Sequence, residues 1–334
     1  MRWASVARTW IPRLLLLTLS VVGWGLFIRI IVVNVVTTVA NVGNPGAGLG
    51  WDTYAYWLAG SRVLDGLPIY WADAIDQLGA YFYAPPFAQL WAPVSVLPWE
   101  AADWAWRLLG LLCIRYIAGS WMVTGLWWLY PGTLYELSFG NVTFQVAALT
   151  VAGLRGRAEG ILPATLLKFS AAAVVPFIWI RRPQARKGLL VGGFVTLVVV
   201  LISLLTAPGL WSEYLGALGS QGNLAFQGTD ILHLLPSPAA DFLLRIAIAI
   251  VMVVVAIRVD SPHLAYAASV LAIPTIWPQR LSVLFALLTL ENDHWLRRYL
   301  WPWSKVDKRT LAGTTDSPPG RAGLEEGRPG ATAS

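Results

Sequence analysis

The chain has 334 residues, of which 57% are hydrophobic and 13% are charged, and its formal net charge is +6. A soluble domain usually carries about 25% charged residues, so this composition excludes a water-soluble globular domain and predicts a surface that faces lipid. The positive charge does not predict a nucleic-acid partner, because Lys and Arg stand mostly at the ends of apolar runs, as they do in membrane proteins. The single cysteine, Cys113, lies in an apolar stretch and predicts neither a disulfide nor a metal site.

The N-terminal part of the chain predicts a membrane anchor followed by a long outer loop. Three Arg residues precede a mostly apolar run over residues 14–40, which is longer than the apolar core of about 7–15 residues in a cleavable signal peptide. We therefore expect an uncleaved signal-anchor with its N-terminus in the cytoplasm. Residues 41–85 contain four Asp residues and one cation, Arg62, which is typical of an extracytoplasmic loop. Within this loop, residues 52–64, bracketed by Gly50 and Gly66, have the pattern of a short helix that lies in the membrane interface.

Apolar runs alternate with short breaks through the rest of the chain, and we expect roughly 8 to 11 membrane segments of near-spanning length. The runs cover residues 86–98, 104–130, 141–154, 161–180, 188–206, 243–257, 264–276 and 281–290. Residues 207–241 carry three acidic residues and no Lys or Arg, which predicts a second large extracytoplasmic loop. Residues 305–334 are rich in Gly, Pro, Ser, Thr and charge, and predict a disordered cytoplasmic tail behind a single domain of residues 1–304.

The run over residues 161–180 poses a conflict of topology. Arg155 precedes it and a cluster beginning at Arg181 follows it, and both groups are typical of the cytoplasmic side. One interpretation is a broken hairpin that enters and leaves on the same side, bent around Lys168. The other is a single crossing that leaves Arg155 outside. We favour the hairpin, because prolines within the run favour broken helices and because irregular backbone at membrane depth is tolerated where it lines a protein interior or a wet cavity.

Three polar residues are candidates for chemistry, and each has a structural alternative. Asp52 is either the N-cap of the short helix or a general base at the membrane surface. Lys168 either binds an anion such as a lipid phosphate, or pairs with Glu136 or reaches back to the interface. Arg280 binds phosphate if its turn faces outward and is a topology marker if it faces inward. The sequence has no nucleotide-binding fingerprint and no metal-ligand spacing, so we expect neither a cofactor nor a metal.

Residues 50–98 carry a recognisable series of motifs. They read Trp51-Asp52-Thr53-Tyr54-Ala55-Tyr56, Leu64-Asp65-Gly66-Leu67-Pro68-Ile69-Tyr70, Tyr81-Phe82-Tyr83-Ala84-Pro85-Pro86-Phe87, Trp91-Ala92-Pro93 and Leu97-Pro98, and weaker elements follow at Phe139-Gly140-Asn141-Val142, at Lys168 with Pro176, and at Ser220-Gln221-Gly222-Asn223-Leu224. The series resembles glycosyltransferase family 87, bacterial membrane enzymes of the GT-C superfamily that use polyprenyl-phosphate-mannose or related lipid donors. Two positions depart from the family pattern. Asn141 stands in place of the usual Gln, and the late element around Arg280 lacks the family's histidines.

The resemblance implies an all-α, polytopic transmembrane helical bundle of GT-C type, with interfacial helices in the long extracytoplasmic loops. It implies a multi-pass protein of the bacterial plasma membrane, with both termini in the cytoplasm and its active site outside, that serves the cell envelope. Its reaction would move a hexose, by resemblance mannose, from a polyprenyl-phosphate-linked donor to a hydroxyl of a glycolipid or glycan acceptor, with inversion. Asp52 would be the general base, and no metal would be required because protein cations can hold the leaving phosphate. The implied substrate-binding residues are Tyr56, Arg62, Tyr83, Asn141, Lys168, Asn223 and Arg280.

Two other functions fit parts of the sequence. Intramembrane charges and broken helices also occur in transporters and flippases, and the missing histidines would suit an inactive GT-C homologue. The arrangement of the charged residues discriminates among these functions. Convergence of Asp52, Lys168 and Arg280 on one cavity favours the enzyme, a pore with pseudo-symmetry favours transport, and scattered positions favour a structural role.

Overall fold

Every regular element in the described part of the chain is a helix, which confirms the predicted all-α class. The computed structural model describes residues 2–40, 50–70, 80–221, 234–235, 237–273, 276 and 278–290. The predicted tail and Asn223 lie outside these residues. The helices are α1 (Arg2–Ala40), α2 (Trp51–Leu64), α3 (Pro85–Trp91), α4 (Trp99–Ala118), α5 (Trp121–Trp127), α6 (Pro131–Phe139), α7 (Thr143–Leu154), α8 (Ile161–Thr165), α9 (Val175–Arg181), α10 (Arg186–Thr206), α11 (Pro208–Gln221), α12 (Pro238–Val259), α13 (Pro262–Leu271) and α14 (Ala286–Thr289). Segments Val94–Val96, Phe169–Val174, Pro183–Ala185 and Pro278–Phe285 are 3₁₀ helices.

Three of the described helices are long and apolar enough to cross a membrane: Ile11–Ala40, Pro183–Thr206 and Ala239–Val259. Their large apolar side chains point outward, as at Val36, which is 61% exposed, and Leu205, which is 82% exposed. Such a surface is costly in water and favourable in lipid. These helices support the predicted membrane-protein class.

Two further apolar segments are bent pairs of helices rather than straight spans. The pair α4 and α5 bends by 111°, and the pair α6 and α7 bends by 109°, so the described residues hold up to five spans if each pair counts as one. The predicted 8 to 11 segments exceed this number. The difference arises because several of the apolar runs fold as short helices, such as α3, α13 and α14, which by length do not reach across a bilayer.

Helices α1 and α5 approach each other so closely that their contact requires glycine. A Cβ atom added to Gly23 would lie 1.8 Å from the carbonyl oxygen of Gly125. Beside this contact the Ser20 hydroxyl donates to the Met122 carbonyl at 2.7 Å. Small residues and buried hydroxyls are the usual means by which helices associate in lipid, where apolar side chains gain nothing by leaving the solvent. The contact fixes the anchor helix against the bundle.

The chain turns back on itself around Lys168, as the predicted hairpin requires. Helix α8 ends at Thr165, the chain bends at Lys168, and the 3₁₀ helix Phe169–Val174 leads into α9. The residues that precede α8 and those that follow α9 are close together. Gly156 lies against Gln184, and a Cβ atom added to this glycine would be 3.7 Å from the glutamine side chain. The segments on either side of the hairpin therefore meet at one end of the bundle. Which side of a membrane that end faces stays a prediction.

Helix α2 forms where the sequence predicts it, but its first turn differs in detail. Gly50 occupies the N-cap with a left-handed φ of 72°, and it makes no side-chain capping bond, since it has no side chain. Asp52 lies one residue inside the helix, so its interpretation as the N-cap is wrong. The helix ends at Leu64 and is followed by Asp65, as the bracketing glycines indicate. Its placement in a membrane interface stays a prediction.

Candidate active site

The site is built around the sharp corner between α6 and α7. Gly140 makes the corner with a left-handed φ of 71°, and a Cβ atom at this position would lie 1.8 Å from the Thr53 hydroxyl oxygen. Only glycine meets both requirements. The Gly140 carbonyl, freed from helical hydrogen bonding, accepts a hydrogen bond from Trp106 Nε1 at 2.8 Å. The corner thus places the buried side chains of Asn141 and Thr143 at the beginning of α7, facing α2.

The first turn of α2 lies directly against this corner. The Gly50 amide donates to the Ser138 carbonyl at 3.0 Å, and the buried Thr53 packs against Gly140. Behind them, Asp103 and Arg107 form a buried ion pair at 2.6 Å on α4. A Cβ atom on Gly50 would be 2.8 Å from an oxygen of Asp103, so the pair forms the floor beneath the α2 N-terminus. The result is that Asp52 faces the α6–α7 corner.

A hydrogen-bonded chain joins three of the residues nominated from the sequence. Asn141 Nδ2 donates to Asp52 Oδ2 at 2.8 Å. Lys168 Nζ donates to Asn141 Oδ1 at 2.8 Å and to Thr143 Oγ1 at 2.5 Å. The alternative in which Lys168 forms an ion pair with Glu136 is therefore not what the described residues show. The hairpin brings the lysine back to the level of Asn141, at the opposite end of α7 from Arg155.

Two further charges act on Asp52. Burial, followed by the negative charge of Glu136, raises the pKa of Asp52 from its ordinary 3.8 to about 6, while the Asn141 hydrogen bond and the charges of Lys168 and Arg280 act in the opposite direction. Glu136 on α6 is 2% exposed, and its Oε1 has no hydrogen-bond partner among the described residues. Arg280 is on the 3₁₀ helix that packs on α6, at the Asp52 end of the bundle. This position favours a ligand-binding role for Arg280 over that of a topology marker.

A tyrosine pair closes the loop side of the site. The hydroxyl groups of Tyr56 and Tyr83 are 3.0 Å apart. Burial, and then the charge of Asp52, raises the pKa of Tyr83 above its ordinary value, so its phenol stays protonated near neutral pH. Tyr70 donates its hydroxyl to the Tyr83 carbonyl at 2.5 Å and thereby fixes the backbone of this residue. The pair presents a neutral hydroxyl that can donate to a ligand oxygen.

The side chains of the site divide into reachable and supporting groups. Asp52, Tyr83, Lys168 and Arg280 are partly exposed, whereas Asn141, at 8% exposure, and Thr143 are buried. The groups that carry charge or a free hydroxyl can therefore meet a ligand, and the buried groups hold them in place. This division is what a reactive site on a rigid scaffold requires.

A small cavity of about 30 Å³ lies on the other flank of Lys168. Its lining combines a lysine and several hydroxyl groups with a larger number of apolar side chains: Thr143, Val146, Ala147, Thr150, Lys168, Ser170, Ala171, Tyr266, Ser269, Val270, Ile273 and Val283. Asp52 does not line it, so Lys168 and Thr143 separate the carboxylate from the cavity. At this size the cavity admits about two water molecules, and it sets the Lys168 ammonium group beside mainly apolar side chains.

The structure unites most, not all, of the nominated residues. Asp52, Asn141 and Lys168 are in direct contact, and the Tyr56–Tyr83 pair and Arg280 surround them. Arg62 is not in the cluster. It lies ten residues beyond Asp52 on α2, about 15 Å along the axis, and its Nε donates to the Pro68 carbonyl at 2.5 Å.

Sequence reasoning missed Thr143 and treated Glu136 only as a possible partner of Lys168. Thr143 follows Asn141 by two residues, and its amide and hydroxyl both donate to Asn141 Oδ1. An Asn at a helix start with Thr two positions later is a recognisable signal for such a turn. Glu136 carries no sequence signal of this kind, because only its packing reveals that its Oε1 has no hydrogen-bond partner within the described ranges.

Among the described residues, no three His, Cys, Asp or Glu side chains lie close enough together to hold a metal ion. The cluster has the composition of an acid–base site that binds an anion: a half-buried carboxylate, two cations and a phenol. Comparisons with protein-family models, with curated proteins and with solved structures found no match.

Proposed function

We propose that the chain is a membrane glycosyltransferase that transfers a hexose, with mannose as the first candidate, from a polyprenyl-phosphate-linked donor to an acceptor hydroxyl on a glycolipid or glycan. One observation carries the proposal. Asp52 is hydrogen-bonded through Asn141 to Lys168, and the charge of Arg280 acts on the same carboxylate. A base and two cations in one partly open site are what this reaction needs.

In the proposed reaction the acceptor oxygen attacks the anomeric carbon of the donor sugar. The bond between that carbon and the phosphate oxygen breaks, the phosphate leaves with the bonding electron pair, and the configuration inverts. Asp52 takes the proton of the acceptor hydroxyl. A pKa of about 6 keeps this carboxylate ionised at neutral pH, yet makes it a stronger base than an ordinary Asp.

The cations have their role at the leaving group. Lys168 uses two of its three N–H groups on Asn141 and Thr143, which leaves one for a phosphate oxygen. Arg280 supplies a second positive charge and can bind a phosphate through two parallel hydrogen bonds. If the phosphate lies at Lys168 and the sugar points toward Asp52, the prenyl chain leaves on the far flank, where the mainly apolar cavity begins.

The proposal is tested by the transfer of labelled mannose from polyprenyl-phosphate-mannose into lipid and polymer fractions of membranes that contain the protein. Asp52→Asn removes the base and keeps its size, and we expect it to lower transfer by about 100-fold or more. Asp65→Asn is the matched control, since Asp65 is exposed at the far end of the same helix. Transfer that persists in Asp52→Asn would remove this residue from the mechanism. Absence of transfer by the wild type with several prenyl-phosphate sugars would refute the function.

A second candidate function, transport of a lipid or solute, is favoured by the broken helices. The chain breaks at the α6–α7 corner and at Lys168, and the site lies at both breaks. Interrupted helices around a polar site are typical of secondary transporters. Flux of a prenyl-phosphate sugar across vesicles without chemical transfer of the sugar would favour this function over the glycosyltransferase.

A further inference from the structure

The side-chain oxygen of Asn141 accepts hydrogen bonds from three donors. Lys168 Nζ and Thr143 Oγ1 are each 2.8 Å from it, and the Thr143 amide nitrogen is 3.2 Å from it. Asn141 and Thr143 are both buried, at 8% and 4% exposure, so water is a poor substitute for these donors. The oxygen end of the amide is thereby fixed.

This arrangement determines what the other end of the amide does. An amide oxygen can accept but not donate, and the NH₂ group can donate but not accept. With the oxygen held by three donors, the NH₂ group must point the opposite way, where it meets Asp52 Oδ2 at 2.8 Å. Reversing the amide would set the NH₂ against three donors and the oxygen against a carboxylate, and both contacts are repulsive.

The Thr143 hydroxyl has a place in this network that its neighbours cannot fill. It accepts from Lys168 Nζ at 2.5 Å and donates to Asn141 Oδ1, so it links the cation to the amide as well as supporting the amide itself. Thr150, two turns further along α7, is also buried, but its hydroxyl donates only to the Val146 carbonyl of its own helix. Thr150 is therefore a buried threonine on the same helix whose hydroxyl bonds to the helix itself and not to the Asn141 network.

We propose that Thr143 is a positioning residue, which acts through the Asn141 amide to hold the Asp52 carboxylate ionised and aimed at the acceptor. Asn141 is then the direct support of the base rather than a ligand for substrate. The other groups that face Asp52 are Tyr56 on its own helix, Glu136 on α6, Lys168 at the hairpin bend, Arg280 on the 3₁₀ helix, and Tyr83 of the first loop. Lys168 donates to both Asn141 and Thr143, so each substitution also removes a partner of the lysine. The double variant described below separates that effect from the effect of the amide.

The catalytic meaning of this inference rests on the proposed function, so its test measures the protonation of the Asp52 carboxyl group directly. Dicyclohexylcarbodiimide, an apolar reagent, adds to protonated carboxyl groups in membrane proteins. Its labelling of the peptide that contains Asp52 is measured by mass spectrometry as a function of pH in the full-length protein in lipid nanodiscs. The pH of half-labelling reports the protonation of this group whether or not the protein transfers sugar.

The expected shifts follow from the loss of hydrogen bonds that favour the charged form. Asn141→Leu removes the donor to Asp52 and should raise the half-labelling pH by about 1 unit. Thr143→Val keeps its size but loses the hydroxyl, and should raise it by about 0.5 unit because two donors still hold the amide oxygen. Thr143→Ser restores the hydroxyl and should restore the wild-type value, while Thr150→Val should leave it unchanged.

The double variant decides whether Thr143 acts through Asn141. If it does, adding Thr143→Val to Asn141→Leu produces no further shift, since the amide that it would orient is gone. A full additional shift in the double variant, or an Asn141→Leu variant that labels like the wild type, would overturn the inference. A wild type that labels as expected but transfers no sugar would refute the proposed function and leave the positioning of Asp52 by Asn141 intact.

Discussion

Substitution of Gly23 by Ala tests whether the α1–α5 contact is as close as the structure shows. A Cβ atom there would lie 1.8 Å from the Gly125 oxygen and 2.9 Å from its carbonyl carbon, whereas unstrained contacts between heavy atoms are about 3.5–4.0 Å. The two helices must separate to admit it, and overpacking of this kind costs about 1–3 kcal/mol. The Ser20–Met122 hydrogen bond beside it is worth about a further 1 kcal/mol if it breaks.

The matched control is Gly25→Ala on the same helix. A Cβ at Gly25 meets no atom within 4 Å, so this change gains the helix propensity of alanine, about 0.8–1 kcal/mol. That gain also applies to Gly23→Ala, so its net loss should be about 0–3 kcal/mol. Because the gain is common to both, the two variants should differ by about 1–4 kcal/mol in the free energy of unfolding.

The chain offers a direct assay for this difference, since Cys113 is its single cysteine and is partly buried. A thiol-reactive dye reports its exposure during heating of the protein in one detergent at one scan rate. The Gly23→Ala midpoint should fall below that of the wild type, and the Gly25→Ala midpoint should equal or exceed it. Equal midpoints for the two variants would show that the helices are not in close contact and would refute the reasoning.

Three other changes probe the site. Glu136→Gln removes the negative charge that helps raise the pKa of Asp52, so Asp52 should ionise at lower pH. The acid limb of kcat/KM for transfer, expected near pH 6, should then move downward, and an upward move would contradict this. Arg107→Met leaves Asp103 buried without its ion-pair partner, and should lower the free energy of unfolding by about 3–5 kcal/mol. An Asp103→Leu/Arg107→Met double variant should recover this stability in the same thermal assay. Ala147→Phe reduces the cavity, and should raise KM about tenfold for a long-chain donor, while KM for a donor with two isoprene units should change little.

The elements that the sequence predicts well are those set by local pattern. The bracketing glycines predict the short helix that carries Asp52, and the structure has it at Trp51–Leu64. The bend at Lys168 is predicted from two signals that disagree. Residues 161–180 are long enough to cross a membrane once, but the basic residues before and after them are both typical of the cytoplasmic side. That inference needs no knowledge of packing. The approach of Gly156 to Gln184 agrees with it, because the two ends of the run meet.

The contacts that assemble the site could not be predicted, because they join residues far apart in the chain. Asn141 meets Asp52 only because Gly140 admits Thr53 so closely that no Cβ fits. The sequence shows a glycine there but not what lies against it. For Arg62 the sequence predicts a contact that the structure does not have. This residue is near Asp52 in sequence and has the right charge, but a helix carries it about 15 Å away along the axis.

The bend at Lys168 has a consequence for how the protein is made. The arm from Ile161 to the bend is about 10 Å long as a helix, against a hydrocarbon core of about 30 Å, so the translocon cannot release it into lipid as a span of its own. It must be held until later segments emerge from the ribosome and shelter it. Because Arg280 comes from near the C-terminal end of the described chain, a nascent chain that stops before the last helices carries Asp52, Asn141 and Lys168 without Arg280. The order of synthesis thus delays the completion of the charged site until the bundle around it is nearly complete.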